Sequence, residues 1–272
     1  MLTLIRMEIS KIVHNKWAII IGLVFGAAYI LLTYSYYRWN VSIAWESMTL
    51  FPYSFGAVME GVILLVALPA CITQEYQSNT EALLLSSKHG RSKLMKAKIT
   101  ASLLIVTFVV VGCLILNAAV NVWFAGWTGW DWPLQKLNRY ANSPYELLIW
   151  QYALVQALTN WLGCLVFGLF ILFVSARSQS YLTVFFIAGI VFVLPFFVRN
   201  TSDLSVPWLI KNLPMTDFMR VENIYNRERF VLVYNWMLSL PYQLFYVYMA
   251  ILAAAFAKGA YGAFRRRADG SS

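Results

Sequence analysis

The sequence predicts an all-α, polytopic membrane protein of about six transmembrane helices, N-in and C-in, preceded by an amphipathic interfacial helix. Three observations carry this: an apolar composition, long charge-free runs, and a lopsided distribution of basic residues. Hydrophobic residues make up 60% of the chain and charged residues only 12%, against roughly 25% charged in soluble domains. A water-soluble fold could not hide so much apolar surface.

The charge-free runs locate the helices. Lys16 to Arg38, Lys98 to Asp131, Glu146 to Arg177, Arg177 to Arg199 and Arg229 to Lys258 each enclose a stretch without Asp, Glu, Lys or Arg. Each reaches the roughly 20 residues that a helix needs to cross the hydrocarbon. A further run between Tyr53 and Thr73 is interrupted only by Glu60 and Pro69. Backbone groups in lipid must bond within their own segment, so this run also reads as helix, bent at the proline. Pro195 is expected to bend its own helix in the same way. The expected spans are Trp17–Tyr36, Tyr53–Thr73, Ile99–Val122, Gln151–Ala176, Tyr181–Val198 and Asn235–Ala257.

Orientation follows from the basic residues. With the N-terminus inside, the inner pieces 1–16, 74–98, 177–180 and 258–272 hold thirteen Lys and Arg against four acids. The outer pieces hold eight against seven. This bias places both ends in the cytoplasm. It also accounts for the net charge of +9 without nucleic acid, and Arg265–Arg267 reads as a basic anchor in the tail 258–272. The expected location is a multi-pass position in a cell membrane, of the bacterial plasma membrane type. The first run lacks a small-residue cleavage pattern and ends in Tyr34, Tyr36 and Tyr37, so it reads as a true span rather than a signal peptide. Before it, Leu2, Ile5, Ile9 and Ile12 recur at helical spacing, which predicts an amphipathic helix over 1–16 on the inner membrane surface.

Little in the chain suits catalysis. Cys71, Cys113 and Cys164 lie inside expected spans at spacings that match neither a metal site nor a disulfide framework, and the two histidines are His14 and His89. No HExxH, GxSxG or Gly-rich phosphate loop occurs, so no bound cofactor and no catalytic residue is expected in this chain. Glu60 is the one acid inside a span, where an ionisable group costs on the order of 2.5–3.5 kcal/mol. It is a candidate intramembrane functional residue, with a purely structural hydrogen bond as the alternative. Gly22 and Gly26 form a small-xxx-small step. Outside, 123–150 and 199–234 are the expected extracellular segments. Trp123, Trp127, Trp130 and Trp132 in the first read as interfacial anchors or as an aromatic surface facing substrate.

The inner loop 74–98 carries the most residue-level pattern. Thr80 to Ser86 predicts a short amphipathic helix with Glu81 in its first turn, and Arg91 to Lys98 a basic lead-in to the third span. With Glu8 and Lys11 in the N-terminal helix and the basic tail after the last span, the layout resembles the permease subunit of a type-2 ATP-binding-cassette (ABC) transporter. The resemblance implies that the inner loop docks on a separate ATP-binding ABC subunit through Glu75, Thr80, Glu81, Leu83, Leu84, Leu85 and Arg91. Asn79 stands where the family often has glycine. The resemblance further implies ATP and Mg in that partner only, export as the activity, and a second permease copy or a related permease beside it. A self-sufficient secondary transporter or channel is the alternative, with an intramembrane enzyme third.

The charge asymmetry makes a direct prediction. In a cysteine-free background, a cysteine replacing Lys136 reacts with a membrane-impermeant thiol reagent in intact cells, and one replacing Lys93 does not. Labelling at Lys93 alone reverses the orientation.

Overall fold

The computed structural model describes residues 1–39, 43–77, 90–141, 146–178, 180–198, 230–233, 236–240 and 243–270. Helix α1 (Leu2–Val13) leads directly into α2 (Lys16–Trp39). A short helix α3 (Ala44–Leu50) precedes α4 (Phe55–Ala67) and α5 (Ala70–Gln77). The break between α4 and α5 falls at Leu68–Pro69, where proline supplies no N–H to the ladder. Helix α6 (Gly90–Ala125) is followed by two 3-10 turns, then α7 (Ile149–Arg177) and α8 (Tyr181–Val198). A hairpin of β1 (Phe230–Val233) and β2 (Trp236–Leu240) precedes the last helix, α9 (Gln243–Gly270).

Among the described residues, five stretches are long and apolar enough to span a membrane: Lys16–Trp39, Phe55–Gln74, Lys93–Ala125, Ile149–Arg177 and Tyr246–Phe264. Helix α8 coincides with the expected fifth span. Its 18 residues reach about 27 Å at 1.5 Å per residue. Packing directions require it as a crossing. Helices α7 and α9 run parallel, since Thr159 meets Tyr246 at 2.7 Å between hydroxyls while the rings of Phe170 and Phe173, a few turns on, pack edge-on and tilted against Phe256 with centroids 5.3 and 5.6 Å apart. Two neighbouring spans can point the same way only if the chain crosses back between them, and α8 runs antiparallel to α4, with the Tyr181 hydroxyl on the Val66 carbonyl and Phe192 against Gly61, as such a return crossing does.

Two expected boundaries move. The basic stretch Arg91–Lys98 belongs to α6, which is one unbroken helix of 36 residues. The last span does not begin at Asn235: residues 236–240 pair with β1 in an antiparallel hairpin, Phe230 opposite Leu240 and Val233 opposite Trp236. This part of the apolar run is rich in aromatic and aliphatic side chains suited to a strand, and the sequence has Pro241 ahead of the helix. Helix α9 starts later and continues through the basic tail to Gly270. Helix α8 passes Pro195 unbroken.

Burial sorts the spans. Helix α4 is buried almost all round, including Ala57, Leu64 and Leu65, as a helix that is apolar on every face must be. It packs so closely on α8 that a Cβ on Gly61 would overlap the Phe192 ring. By contrast α2, α6 and α8 present Leu23, Leu31, Phe108, Ile115, Leu182 and Phe186 outward. Water would not support such a surface, but lipid does. Helix α6 ends where Gly126 adopts φ +75°, a left-handed cap conformation that glycine takes at no steric cost.

Candidate functional site

Helix α1 does not simply lie on a surface. Its apolar stripe is interrupted by Glu8, which points into the bundle and is only 2% exposed. There it meets Lys98, which is fully buried. Lys98 Nζ donates to Glu8 Oε2 at 3.0 Å and to the Cys71 carbonyl at 2.6 Å. Lys11, one turn along α1, donates to Glu8 Oε1 at 2.9 Å. Ile12, also buried, joins the main core beside these charges. A carboxylate out of water needs its lone pairs occupied and its charge matched, and this arrangement does both. The result is a clamp that fastens α1 to the second expected span at α5 and to the third at α6.

The clamp ties together α5 and α6, the two helices on either side of residues 78–89. Glu75 lies in α5 and Arg91 in the first turn of α6, flanking the loop. Thr80, Glu81, Leu83, Leu84 and Leu85 lie outside the described residues, as does the predicted short helix Thr80–Ser86. The structure therefore joins Lys98 to Glu8 and Lys11, which the sequence offered as a separate landmark.

Deep in the bundle, Glu60 of α4 is fully buried. Asn160 of α7 turns its Nδ2 toward the carboxylate, at 3.0 Å from Oε1 and 2.8 Å from Oε2, and the Cys164 thiol reaches Oε2 at 3.4 Å. Because a carboxylate can only accept, the Asn160 amide must face it with nitrogen. Its Oδ1 is then left without a partner. Sequence reasoning singled out Glu60 but not Asn160, although an amide within a long apolar run is a visible signal.

A second polar network, also unforeseen, lies toward the other end of α2 and α6. Tyr29 donates to Asn117 Oδ1 at 2.7 Å, and Asn121 Nδ2 donates to the Tyr29 hydroxyl and to Asn117 Oδ1, each at 2.8 Å. Tyr37 donates to Asn121 Oδ1 at 2.9 Å. Asn117 Nδ2 reaches the Met48 carbonyl at 3.1 Å, and Gln156 reaches the Thr49 carbonyl at 2.7 Å. These last two bonds seat α3 between α6 and α7. The nearby tryptophans Trp123, Trp127, Trp130 and Trp132 are exposed, and Trp127 rests edge-on against the buried Trp45 with ring centroids 5.2 Å apart.

The three cysteines are buried and form no disulfide, and among the described residues no three His, Cys, Asp or Glu side chains gather as a metal site would require. No family model matches the chain, and no curated protein is significantly similar to it.

The Asn160–Glu60 contact yields a prediction about Glu60. Replacing its carboxylate by the amide in Glu60→Gln removes a buried charge while keeping an acceptor for Asn160 Nδ2. Resistance to unfolding in denaturing detergent is therefore retained or raised. Asn160→Leu instead leaves the carboxylate with one weak thiol donor and lowers stability by about 1–3 kcal/mol. Equal loss in both variants contradicts the arrangement.

Proposed function

We propose that the chain is the membrane-spanning permease subunit of an ABC exporter, with ATP and Mg bound and hydrolysed in a separate ABC subunit. In this reading the loop 74–98 is the docking element, Thr80–Ser86 enters a groove on the ATPase, and two permease copies or two related permeases form the assembly. The observation that supports it is the Glu8–Lys11–Lys98 clamp. A force applied to the loop reaches α5 and α6, and the clamp adds α1 to the same unit. Closure of the ATPases would then shift this unit against the rest of the bundle and open a path outward or toward the outer leaflet. The location that goes with this is a bacterial plasma membrane, with the clamp on the cytoplasmic side.

A second reading, a secondary transporter or channel, is favoured by the fully buried Glu60, since ionisable groups within spans mark ion and proton routes. Association with an ATPase separates the two.

The test lies in the loop. Burying one leucine at an interface is worth roughly 1.5–3 kcal/mol, or about tenfold or more in affinity. Leu84→Asp and Glu81→Lys are expected to reach the membrane at normal levels yet to lower recovery of the ATPase, or transport-coupled hydrolysis, by that factor. Lys136→Gln, in the segment 123–150, leaves both intact. Full assembly and coupling in the loop variants rejects the docking role, and the lack of any ATPase partner favours the second reading.

A further inference from the structure

The break at Pro69 leaves the end of α4 with carbonyls to satisfy. Val66 is one of them: its oxygen accepts from Asn15 Nδ2 at 3.0 Å and from the Tyr181 hydroxyl at 3.1 Å. Asn15 is itself oriented, because its Oδ1 accepts from the Trp17 N–H at 3.2 Å. The turn between α1 and α2, the end of α4 and the start of α8 are thus pinned at one carbonyl.

These three walls, with α5, enclose an open cleft of about 790 Å³. Its rim carries Lys11, His14 and Lys16, and among the described side chains no acid lines it. Glu8, the acid that shares α1 with Lys11, is turned away into the bundle and paired with Lys98 and Lys11. The floor is apolar, made by Ile21, Val66 and Ala70. Trp17, 69% exposed, also lines the cleft in the first turn of α2, the position of an interfacial aromatic. Beyond it α2 turns Ile20, Leu23 and Val24 outward, so the apolar floor continues onto the lipid-facing surface.

A cationic rim and an apolar floor opening onto lipid match the parts of one kind of molecule. We infer that this cleft holds the phosphodiester headgroup of one anionic phospholipid from the adjoining leaflet, with its acyl chains running along α2 past Trp17. Lys16 meets the phosphate charge, and the apolar continuation selects a lipid over a soluble phosphate. The inference rests on the membrane character of the chain and is independent of any ATPase partner.

The test uses the full chain in nanodiscs containing equal phosphatidylcholine and phosphatidylglycerol, with retained lipid counted by native mass spectrometry. One phosphatidylglycerol is expected to stay bound in preference to phosphatidylcholine. Removing one cation near the membrane surface weakens anionic lipid binding about fivefold, so Lys16→Gln lowers retention by that factor and Lys16→Arg restores it. Lys16 is exposed, so neither change disturbs packing. Lys93→Gln, which removes an exposed charge from a residue outside the cleft lining, leaves retention unchanged. Equal retention of both lipids, an equal loss in Lys93→Gln, or displacement by excess inorganic phosphate overturns the site.

Discussion

A buried lysine and a buried glutamate, ninety residues apart in the chain, hold the N-terminal helix against the bundle. The desolvation cost of Glu8 and Lys98 is several kcal/mol per ion before pairing, and it is offset only when both are in place with their remaining hydrogen-bonding capacity used. Lys11 and the Cys71 carbonyl complete that requirement. An amphipathic helix floating in the headgroup layer would need none of this. The pair therefore converts a helix with a general affinity for interfaces into one fixed against two spans.

The same economy runs through the interior. Lipid offers no hydrogen bonds, so each polar group introduced into a span constrains its neighbours. The Pro69 break exposes the Val66 carbonyl, which recruits Asn15 and Tyr181, while Lys98 reaches the Cys71 carbonyl at the start of α5. Asn117 and Asn121 on α6 gather Tyr29 and Tyr37 from α2 and fix α3 through Met48. Glu60 draws Asn160 across from α7. Apolar contact brings the helices together, while these few polar links decide which faces meet.

Much of the helical layout was legible because charge is so costly in lipid: the runs bounded by Lys16, Lys98, Glu146 and Arg177 coincide with α2, α6, α7 and α8. The last run was misread at its start because 236–240 is as apolar as a span, and hydropathy does not distinguish a short strand from the beginning of a helix. Glu60 was legible as a lone acid, but Asn160 was not matched to it, since no local pattern links residues one hundred positions apart. The same holds for Glu8 and Lys98. Each was visible as a charge beside an apolar run, and only the folded chain brings them to 3.0 Å. The loop residues that carry the family resemblance, Thr80 to Leu85, lie outside the described residues, so the resemblance rests on sequence.

The central claim is that the Glu8–Lys98 pair fixes α1 to the base of α6, and a double-mutant cycle reads it most directly. Unfolding in denaturing detergent would be measured for the parent chain, Glu8→Gln, Lys98→Met and the double variant. Breaking a buried pair from one side costs about 3–5 kcal/mol, whereas removing both charges leaves no uncompensated ion. Each single variant is therefore expected to lose stability by that amount, and the double variant to recover most of it. Additive losses, or single variants as stable as the parent, would contradict the account.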